Sequence, residues 1–333
     1  MIKMTKWISI GVVVVLFVMF SQLIVPQSIN GLETAPPGSQ YHMQIIGSDT
    51  DTFFYSQFTA GAKAAADDYQ VFVEFVYADR WDQSALHDNI QTAIFAGVNS
   101  VAFQSNDPDM THALYEIASE HGVELMLYES ENFQQASILA AGSNSYSIGT
   151  EAGKLALRAA NGGPCRAAVI VDRTEDGVSS TYHNMKIQGI LEAFAACPGA
   201  EIVETYSLSG NMLAGEYLSN VVLSDAGQFD TIICLHEKTT SLLAQRLIDN
   251  NLLSTVKLIG YGALPQTLDY IDRGVVFGTI CPDAYEVGYN TVALMYAKLN
   301  REQVNEYSST RLFTITAENV SEFAQALQSG DEP

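Results

Sequence analysis

Positive charge is scarce in this sequence. Its 333 residues include 16 Lys and Arg against 38 Asp and Glu, which gives a formal net charge of −22. Nucleic acids and anionic lipids are bound mainly by clusters of Lys and Arg, so the composition argues against both as partners. The acidic residues are scattered along the chain, and this scatter favours a solvated surface over a metal-binding face.

The chain also lacks the short motifs that mark common catalytic and metal sites. Its four cysteines, Cys165, Cys197, Cys234 and Cys281, form no Cys-x-x-Cys pair, which argues against a zinc or thioredoxin-like site. Gly-x-Ser-x-Gly and His-Glu-x-x-His are absent, and the six histidines are dispersed. The sequence therefore predicts no metal, no cofactor and no catalytic residue, and it favours a binding protein over an enzyme.

The first 25 residues predict where the protein works. Lys3 and Lys6 precede an apolar run over residues 7–25, and the next basic residue is Lys63. By the positive-inside rule, this asymmetry places the N-terminus in the cytoplasm and the remainder outside. The run is long enough to span a membrane. It is followed by no Ala-x-Ala-like cleavage site and has no nearby Cys for a lipid, so an uncleaved signal anchor is favoured over a cleaved signal.

After the apolar run, the pattern is that of an α/β protein. Residues 26–40 contain Pro26, Pro36 and Pro37 and are predicted to form a stalk. Short apolar strands then alternate with helices, which is typical of parallel sheets covered by helices on both faces. The alternation restarts near Tyr146, so we expect two sheets of about five strands each. Ligands bind beyond the carboxyl ends of such strands, and a cleft between two sheets is the expected site.

Eight segments give this pattern a more specific interpretation. The first, Ile45-Ile-Gly-Ser-Asp-Thr-Asp-Thr-Phe-Phe, combines a strand, a polar loop and two aromatics that open a helix. The others are residues 98–107, 122–130, 142–153, 186–190, 233–237, 258–262 and 286–290. In order and spacing, they resemble the ribose-binding-like periplasmic binding proteins over about residues 41–316.

The resemblance implies two doubly wound parallel-sheet lobes, joined by three crossings near Gly142, Pro282 and Arg311, that close on a ligand, often a sugar. We expect a cytoplasmic tip and anchor at 1–25, a stalk at 26–40, lobe one at 41–142 plus 283–311, lobe two at 143–282 plus 312–316, and a C-terminal helix and tail at 317–333. Sugar-responsive repressors share this core but begin with a helix-turn-helix, where this chain has its apolar run.

In lobe one, the resemblance points to two groups of ligand-binding residues. Asp51 stands where the family often places a hydrogen-bonding side chain, and Phe53 and Phe54 stand at its stacking positions. Ordinary packing between helix and sheet is the alternative for both rings. Asn106 and Asp107 end the third strand, and a plain turn or helix N-cap is the alternative for them.

A third position in lobe one departs from the family. Glu129 ends the fourth strand where the family commonly has Asp followed by Arg, whereas Ser130 follows here. Glu129 is still predicted to contact the ligand, but the usual pair of opposite charges is broken.

In lobe two, the resemblance points to residues that follow several strands. Asn184 and Lys186 match positions from which an Arg reaches the ligand, and a solvated helix charge is the alternative for Lys186. His236 and Glu237 replace a frequent Asn-Asp pair and are also predicted to bind ligand.

The largest departure from the family is also in lobe two. Gly262 stands where an Asp usually accepts two sugar hydroxyls. Asp283, beside the second crossing, is the predicted replacement carboxylate.

The cysteines suggest one covalent link. Cys165 and Cys197 each precede a strand of lobe two, and consecutive parallel strands in this fold are usually neighbours. A Cys165–Cys197 disulfide is therefore predicted, because a disulfide is permitted outside the cytoplasm.

Taken together, the sequence predicts an extracytoplasmic solute-binding protein whose ligand is a sugar or related polyol. Its partner would be an ABC permease or a membrane histidine kinase, and the uncleaved span slightly favours sensing. An extracellular enzyme that acts on a glycan is the alternative.

Overall fold

The computed structural model describes residues 38–47, 53–77, 83–105, 107–130, 138–173, 181–209 and 222–329. The predicted anchor at residues 7–25 lies outside these ranges, as does most of the predicted stalk. Within the described ranges, no helix has both the length and the apolar character needed to cross a membrane.

Strands and helices alternate along most of the described chain. The strands are β1 (His42–Gly47), β2 (Phe72–Tyr77), β3 (Ser100–Phe103), β4 (Glu124–Tyr128), β5 (Leu139–Gly142), β6 (Arg166–Arg173), β7 (Glu201–Ser209), β8 (Thr231–Cys234), β9 (Lys257–Tyr261), β10 (Gly278–Pro282), β11 (Tyr307–Ser309) and β12 (Leu312–Thr316). The α-helices are α1 (Phe53–Tyr69), α2 (Gln83–Ala96), α3 (Pro108–His121), α4 (Ser145–Ala159), α5 (Thr181–Ala195), α6 (Glu237–Asp249), α7 (Pro265–Asp272), α8 (Ala284–Leu299) and α9 (Val320–Ser329).

The strands form two sheets, and the predicted α/β fold with two parallel-sheet lobes is confirmed. One sheet has the order β11-β5-β4-β3-β1-β2 and the other β12-β10-β9-β8-β6-β7. We call them and their helices lobe one and lobe two. Each sheet has six strands rather than about five. All strand pairs are parallel except β10 with β12, which is antiparallel. Only two residues separate β11 from β12, yet the two strands belong to different sheets: β11 pairs with β5 in lobe one and β12 with β10 in lobe two.

The chain passes between the sheets at three places. It leaves lobe one after β5, where Gly142 is followed by the start of α4. It returns after β10, where Asp283 precedes α8, and it leaves again through Thr310 and Arg311 between β11 and β12. All three crossings therefore lie at strand ends that border the gap between the sheets.

Each sheet separates two hydrophobic clusters. Successive side chains of a strand point to opposite faces, and Ile45 and Ile46 of β1 accordingly join different clusters. The cluster of Ile45 includes residues of α1 and α8, and that of Ile46 includes residues of α2 and α3. In lobe two, α6, α7 and α9 cover one face of the sheet, and α4 and α5 cover the other.

Paired glycines bring one helix pair of each lobe into backbone contact. A Cβ atom at Gly61 of α1 would overlap the carbonyl of Tyr285, and one at Gly288 of α8 would overlap the carbonyl of Phe58. In lobe two, a Cβ atom at Gly149 of α4 would overlap the carbonyl of Lys186 on α5. The reciprocal glycine, Gly189, meets Tyr146 in the same way. The position of α5, and hence of Lys186, depends on this close approach.

The predicted Cys165–Cys197 disulfide is not formed in the structure, in which all four cysteines are free thiols. The Cys165 thiol is buried and lies 3.5 Å from the Thr231 hydroxyl, to which it donates. The Cys197 thiol lies 3.5 Å from the carbonyl oxygen of Gly163. Each of the two thiols therefore has an oxygen acceptor in the structure.

Candidate functional site

The carboxyl ends of β8, β9 and β10 carry most of the polar residues predicted for lobe two. His236 follows β8 and is the N-cap of α6, where its Nδ1 accepts a hydrogen bond from the Thr239 backbone N–H at 3.2 Å. Capping by a side-chain acceptor satisfies a backbone donor in the first turn of the helix. His236 is only partly buried, so its ring forms part of the rim of this region.

Glu237, the first residue of α6, lies directly over Gly262. Only 7% of Glu237 is exposed. Gly262 has a φ of +80°, which favours glycine, and a Cβ atom there would overlap the Glu237 side chain. Oε1 of Glu237 accepts a long hydrogen bond, of 3.4 Å, from the Ala263 backbone N–H. The carboxylate of Glu237 thus fills the space that a side chain at position 262 would occupy.

Lys186 brings a positive charge to the same lobe. It is 2% exposed, and its Nζ lies 4.7 Å from the centroid of the Tyr261 ring, at the end of β9. Burial of an ammonium group is costly unless other groups compensate it, and the face of an aromatic ring attracts a cation. The sequence analysis does not include Tyr261 among the site residues. An aromatic residue at the end of a buried strand, next to Gly262, is nevertheless a signal that could have identified it.

Asp283, the predicted replacement carboxylate, is bound to the third crossing. Its Oδ2 accepts a hydrogen bond from Arg311 Nη2 at 2.8 Å, and its Oδ1 accepts one from the Glu286 backbone N–H at 3.0 Å as the N-cap of α8. Burial raises the pKa of Asp283, although the hydrogen bond from Glu286 and the charge of Arg311 both lower it. Burial is also the main cause of the raised pKa of the Cys281 thiol, to which the charges of Glu237 and Asp283 add.

In lobe one, Glu129 is turned towards the first crossing. Its φ of +45° is unusual for a residue with a side chain. Its Oε1 accepts a hydrogen bond from the Ser143 backbone N–H at 2.7 Å, and the residue is 6% exposed. Glu129 therefore stabilises the point where the chain leaves lobe one, which is a different role from the predicted ligand contact.

The three crossings are also joined to one another. The Thr310 backbone N–H donates to the Gly142 carbonyl at 3.1 Å, and the Ser143 and Thr310 hydroxyls are 3.2 Å apart. The Asp283 backbone N–H donates to the Arg311 carbonyl at 3.0 Å. The first and second crossings are therefore each hydrogen-bonded to the third.

The remaining predicted residues occupy different surroundings. Phe53, at the start of α1, packs against the hydrophobic cluster of lobe two. Phe54 packs against a cluster of its own lobe, with its ring centroid 6.0 Å from that of Phe58. Asp107 is the exposed N-cap of α3 and accepts from the Asp109 and Met110 backbone N–H groups.

Three further predicted residues do not join the buried group. Asn184 is exposed in the first turn of α5. Asp51 and Asn106 lie outside the described residues. The structure thus brings Lys186, His236, Glu237 and Asp283 to one end of the lobe-two sheet.

Replacement of Arg311 with methionine tests the link between the crossings. Because the folded pKa of Asp283 is raised above 3.8, its contribution to stability is fully present below that value and is lost as the pH rises through the raised pKa. Without the Arg311 guanidinium group, the pKa of Asp283 rises further. More of the free energy of unfolding is then lost between acidic and neutral pH. We expect Arg311→Met to lower the free energy of unfolding by about 1–2 kcal/mol at neutral pH and by less near pH 4.

Denaturant unfolding at a series of pH values measures this effect. Arg166→Met is the matched control, because Arg166 pairs with Glu201 at 3.3 Å while both side chains are at least half exposed. Such a pair contributes about 0.5 kcal/mol. Parallel pH profiles for the two variants would contradict the assigned role of Arg311.

The family of the chain follows from a match that covers most of the two lobes. Residues 44–303 match the family model described as a periplasmic binding protein domain. The chain belongs to this family. Membership confirms the resemblance found in the sequence and identifies a binding protein rather than an enzyme. No curated protein matches the chain significantly.

Solved structures with the same fold come from several bacteria. A glucose-galactose binding protein from Geobacillus stearothermophilus has a TM-score of 0.76 and 18% identity, over 84% of this chain and 98% of its own. An ABC transporter solute-binding protein from Burkholderia graminis, in complex with D-arabinose, has a TM-score of 0.76 and 20% identity, over 86% and 98%. A putative LacI transcriptional regulator from Bacteroides fragilis has a TM-score of 0.74 and 16% identity, over 85% and 99%. At these identities, the likeness extends to the fold alone.

Proposed function

We propose that this chain is an extracytoplasmic solute-binding protein that closes on a small carbohydrate or related polyol. The observation that carries the proposal is the group of buried polar side chains, Lys186, Glu237 and Asp283, at the carboxyl ends of the lobe-two strands. Carboxylates and ammonium groups hydrogen-bond hydroxyl groups strongly. Two further findings support this proposal. The chain belongs to the periplasmic binding protein family, and solved structures with the same fold include sugar-binding proteins.

Closure would couple the two lobes through the ligand. Phe53 comes from lobe one and packs against the lobe-two cluster, so its ring borders the gap. A ligand that contacts both lobes stabilises the closed form by its extra contacts there and shifts the population towards it. The bonded crossings would act as the hinge, because only a few residues there connect the lobes.

The bound form would serve one of two partners. An ABC permease would accept the solute for import, or a membrane histidine kinase would read the closed form as a signal. Structures with the same fold include ABC transporter solute-binding proteins, which supports the first use. The apolar run at residues 7–25, as an uncleaved anchor, would suit the second.

Carbohydrate binding is tested by thermal unfolding with a panel of D-glucose, D-galactose, D-arabinose, D-allose and myo-inositol, followed by calorimetry on those that raise the melting temperature. We expect stoichiometric binding without product. Phe53→Ala should weaken that binding about tenfold and change the melting temperature of the free protein little. Phe54→Ala should show the reverse, because its ring packs within lobe one. A panel without any stabilising compound would refute the proposal.

Anchoring makes a separate prediction. Because residues 7–25 are followed by no small-residue cleavage site, the intact chain should fractionate with membranes, and a chain without residues 1–25 should not. Cell fractionation with N-terminal sequencing measures this. If the main species were instead a released chain that begins near residues 28–36, the segment would be a cleaved signal.

A further inference from the structure

A cavity of about 430 Å³ lies between the start of α1 and the pair of helices α7 and α9. Its walls include Phe53 and Gln57 from lobe one, Ala263 and Leu268 from lobe two, and Ala324 and Leu327 from α9. Ligand pockets typically have volumes of about 300–1,000 Å³ and mainly apolar walls. The cavity is thus of a size and character that suit a small apolar group.

The cavity adjoins the proposed carbohydrate site at two points. Phe53 borders both, since it lines the cavity and packs against the hydrophobic cluster of lobe two. On the other side, the Ala263 N–H lies 3.4 Å from Oε1 of Glu237. A substituent on a sugar that contacts Glu237 would therefore have a short path into the cavity.

The charge of the cavity restricts what can enter it. Asp269 and Asp272 are exposed residues of its lining. Asp269 pairs with Arg273 at 3.1 Å, but no Lys or Arg is among the described residues that line the cavity itself. A carboxylate or phosphate there would face like charge without a lining cation, which is unfavourable. A neutral or cationic group meets no such cost.

We infer that this cavity is a subsite for an apolar, uncharged or cationic substituent of the carbohydrate, such as an aromatic aglycone. The inference rests on the proposed function, because the sugar itself would be held by the residues at the ends of β8, β9 and β10. It deepens that function by naming glycosides as ligands that bind more tightly than the free monosaccharides.

Matched glycosides test the inference directly. The probes are methyl, phenyl and 4-carboxyphenyl glycosides of D-glucose, D-galactose and D-arabinose, with binding measured by calorimetry. Burial of a phenyl ring should make a phenyl glycoside bind at least about tenfold more tightly than its methyl counterpart, and the carboxyphenyl group should lose that gain. Phenyl glycosides that bind no better than methyl glycosides would overturn the inference and leave the proposed function intact. Binding of none of the probes would overturn both.

A variant that fills the cavity separates this subsite from the sugar site. Ala324→Trp places a large ring in the cavity, and Ala326→Trp, two residues along α9 at a position that does not line it, is the matched control. We expect Ala324→Trp to abolish the preference for phenyl over methyl while methyl binding persists, and Ala326→Trp to keep the preference. Melting temperatures report whether each variant folds.

A charge reversal provides a second variant in case the larger ring disturbs α9. Asp272→Lys replaces an exposed lining carboxylate with an ammonium group and should raise the affinity for the carboxyphenyl glycoside relative to the phenyl one. Asp249→Lys, an exposed residue at the end of α6, is the control for general charge effects. An equal gain in both variants would place the aglycone elsewhere and refute the subsite.

Discussion

A chain in which Gly149 is replaced with alanine is expected to lose about 3 kcal/mol of unfolding free energy. The added Cβ would overlap the carbonyl of Lys186, which belongs to the backbone of α5 and cannot rotate away as a flexible side chain can. Helices α4 and α5 would have to separate. Alanine in a helix is otherwise favoured over glycine by roughly 0.5–1 kcal/mol, so helix propensity predicts the opposite sign.

Denaturant unfolding of three variants measures this effect. Gly288→Ala should cost a similar amount, because its Cβ would overlap the Phe58 carbonyl in the corresponding helix pair of lobe one. Gly227→Ala is the control, since no atom of the described residues, its chain neighbours aside, lies within 4 Å of the Cβ that would be added there. An unchanged or raised free energy of unfolding in Gly149→Ala would mean that the helices do not meet in the way described.

The sequence predicts the arrangement of strands and helices well, because the alternation of apolar runs and amphipathic segments is a local signal. The end of α3 is an example: a glycine directly after a helical segment is a typical stop signal, and in the structure Gly122 adopts a left-handed φ of +69° as the C-cap of α3. Short strands without an apolar pattern cannot be predicted in this way. β11 has three residues, Tyr-Ser-Ser, and no apolar pattern, so only its pairing with β5 makes it a strand.

Contacts between distant segments are the other limit. The glycines at positions 61, 149, 189 and 288 are recognisable as small helix residues, but their partners depend on which helices become neighbours. The sequence predicts a helix within residues 317–333 but not its neighbours, and in the structure α9 shares a cavity with α1 and α7. Such juxtapositions need the tertiary fold.

The candidate site likewise has some residues whose role the local sequence indicates and others whose role depends on the tertiary fold. Burial of Lys186 within α5 argues against the alternative of a solvated helix charge, and burial of Glu237 agrees with its position at the start of α6, just after β8. For Asp107, the structure supports the N-cap alternative, because its carboxylate accepts from two backbone N–H groups of α3. Glu129 could not have been assigned to the hinge from sequence, since its left-handed backbone and its bond to Ser143 depend on how β4, β5 and the first crossing meet. Its contact with a ligand stays a prediction.

Replacement of Glu237 with glutamine is expected to lower the affinity for the carbohydrate that stabilises the wild type by roughly ten- to a hundredfold. The change keeps the shape of the side chain but removes its charge, and a hydrogen bond to a charged group contributes about 1.5–3 kcal/mol. Asp283 cannot take over this position, because hydrogen bonds from Arg311 and from the Glu286 backbone hold its carboxylate beside the second crossing.

Calorimetry and thermal unfolding of the same samples separate binding from folding. Glu322→Gln is the control, because Glu322 is an exposed acidic residue in the first turn of α9 and its removal matches the loss of charge near a helix N-terminus. Gly262→Ala should act in the same direction as Glu237→Gln, since the added Cβ would displace the Glu237 side chain. If Glu237→Gln bound the carbohydrate as tightly as Glu322→Gln did, the carboxylate over Gly262 would serve the fold of lobe two rather than the ligand.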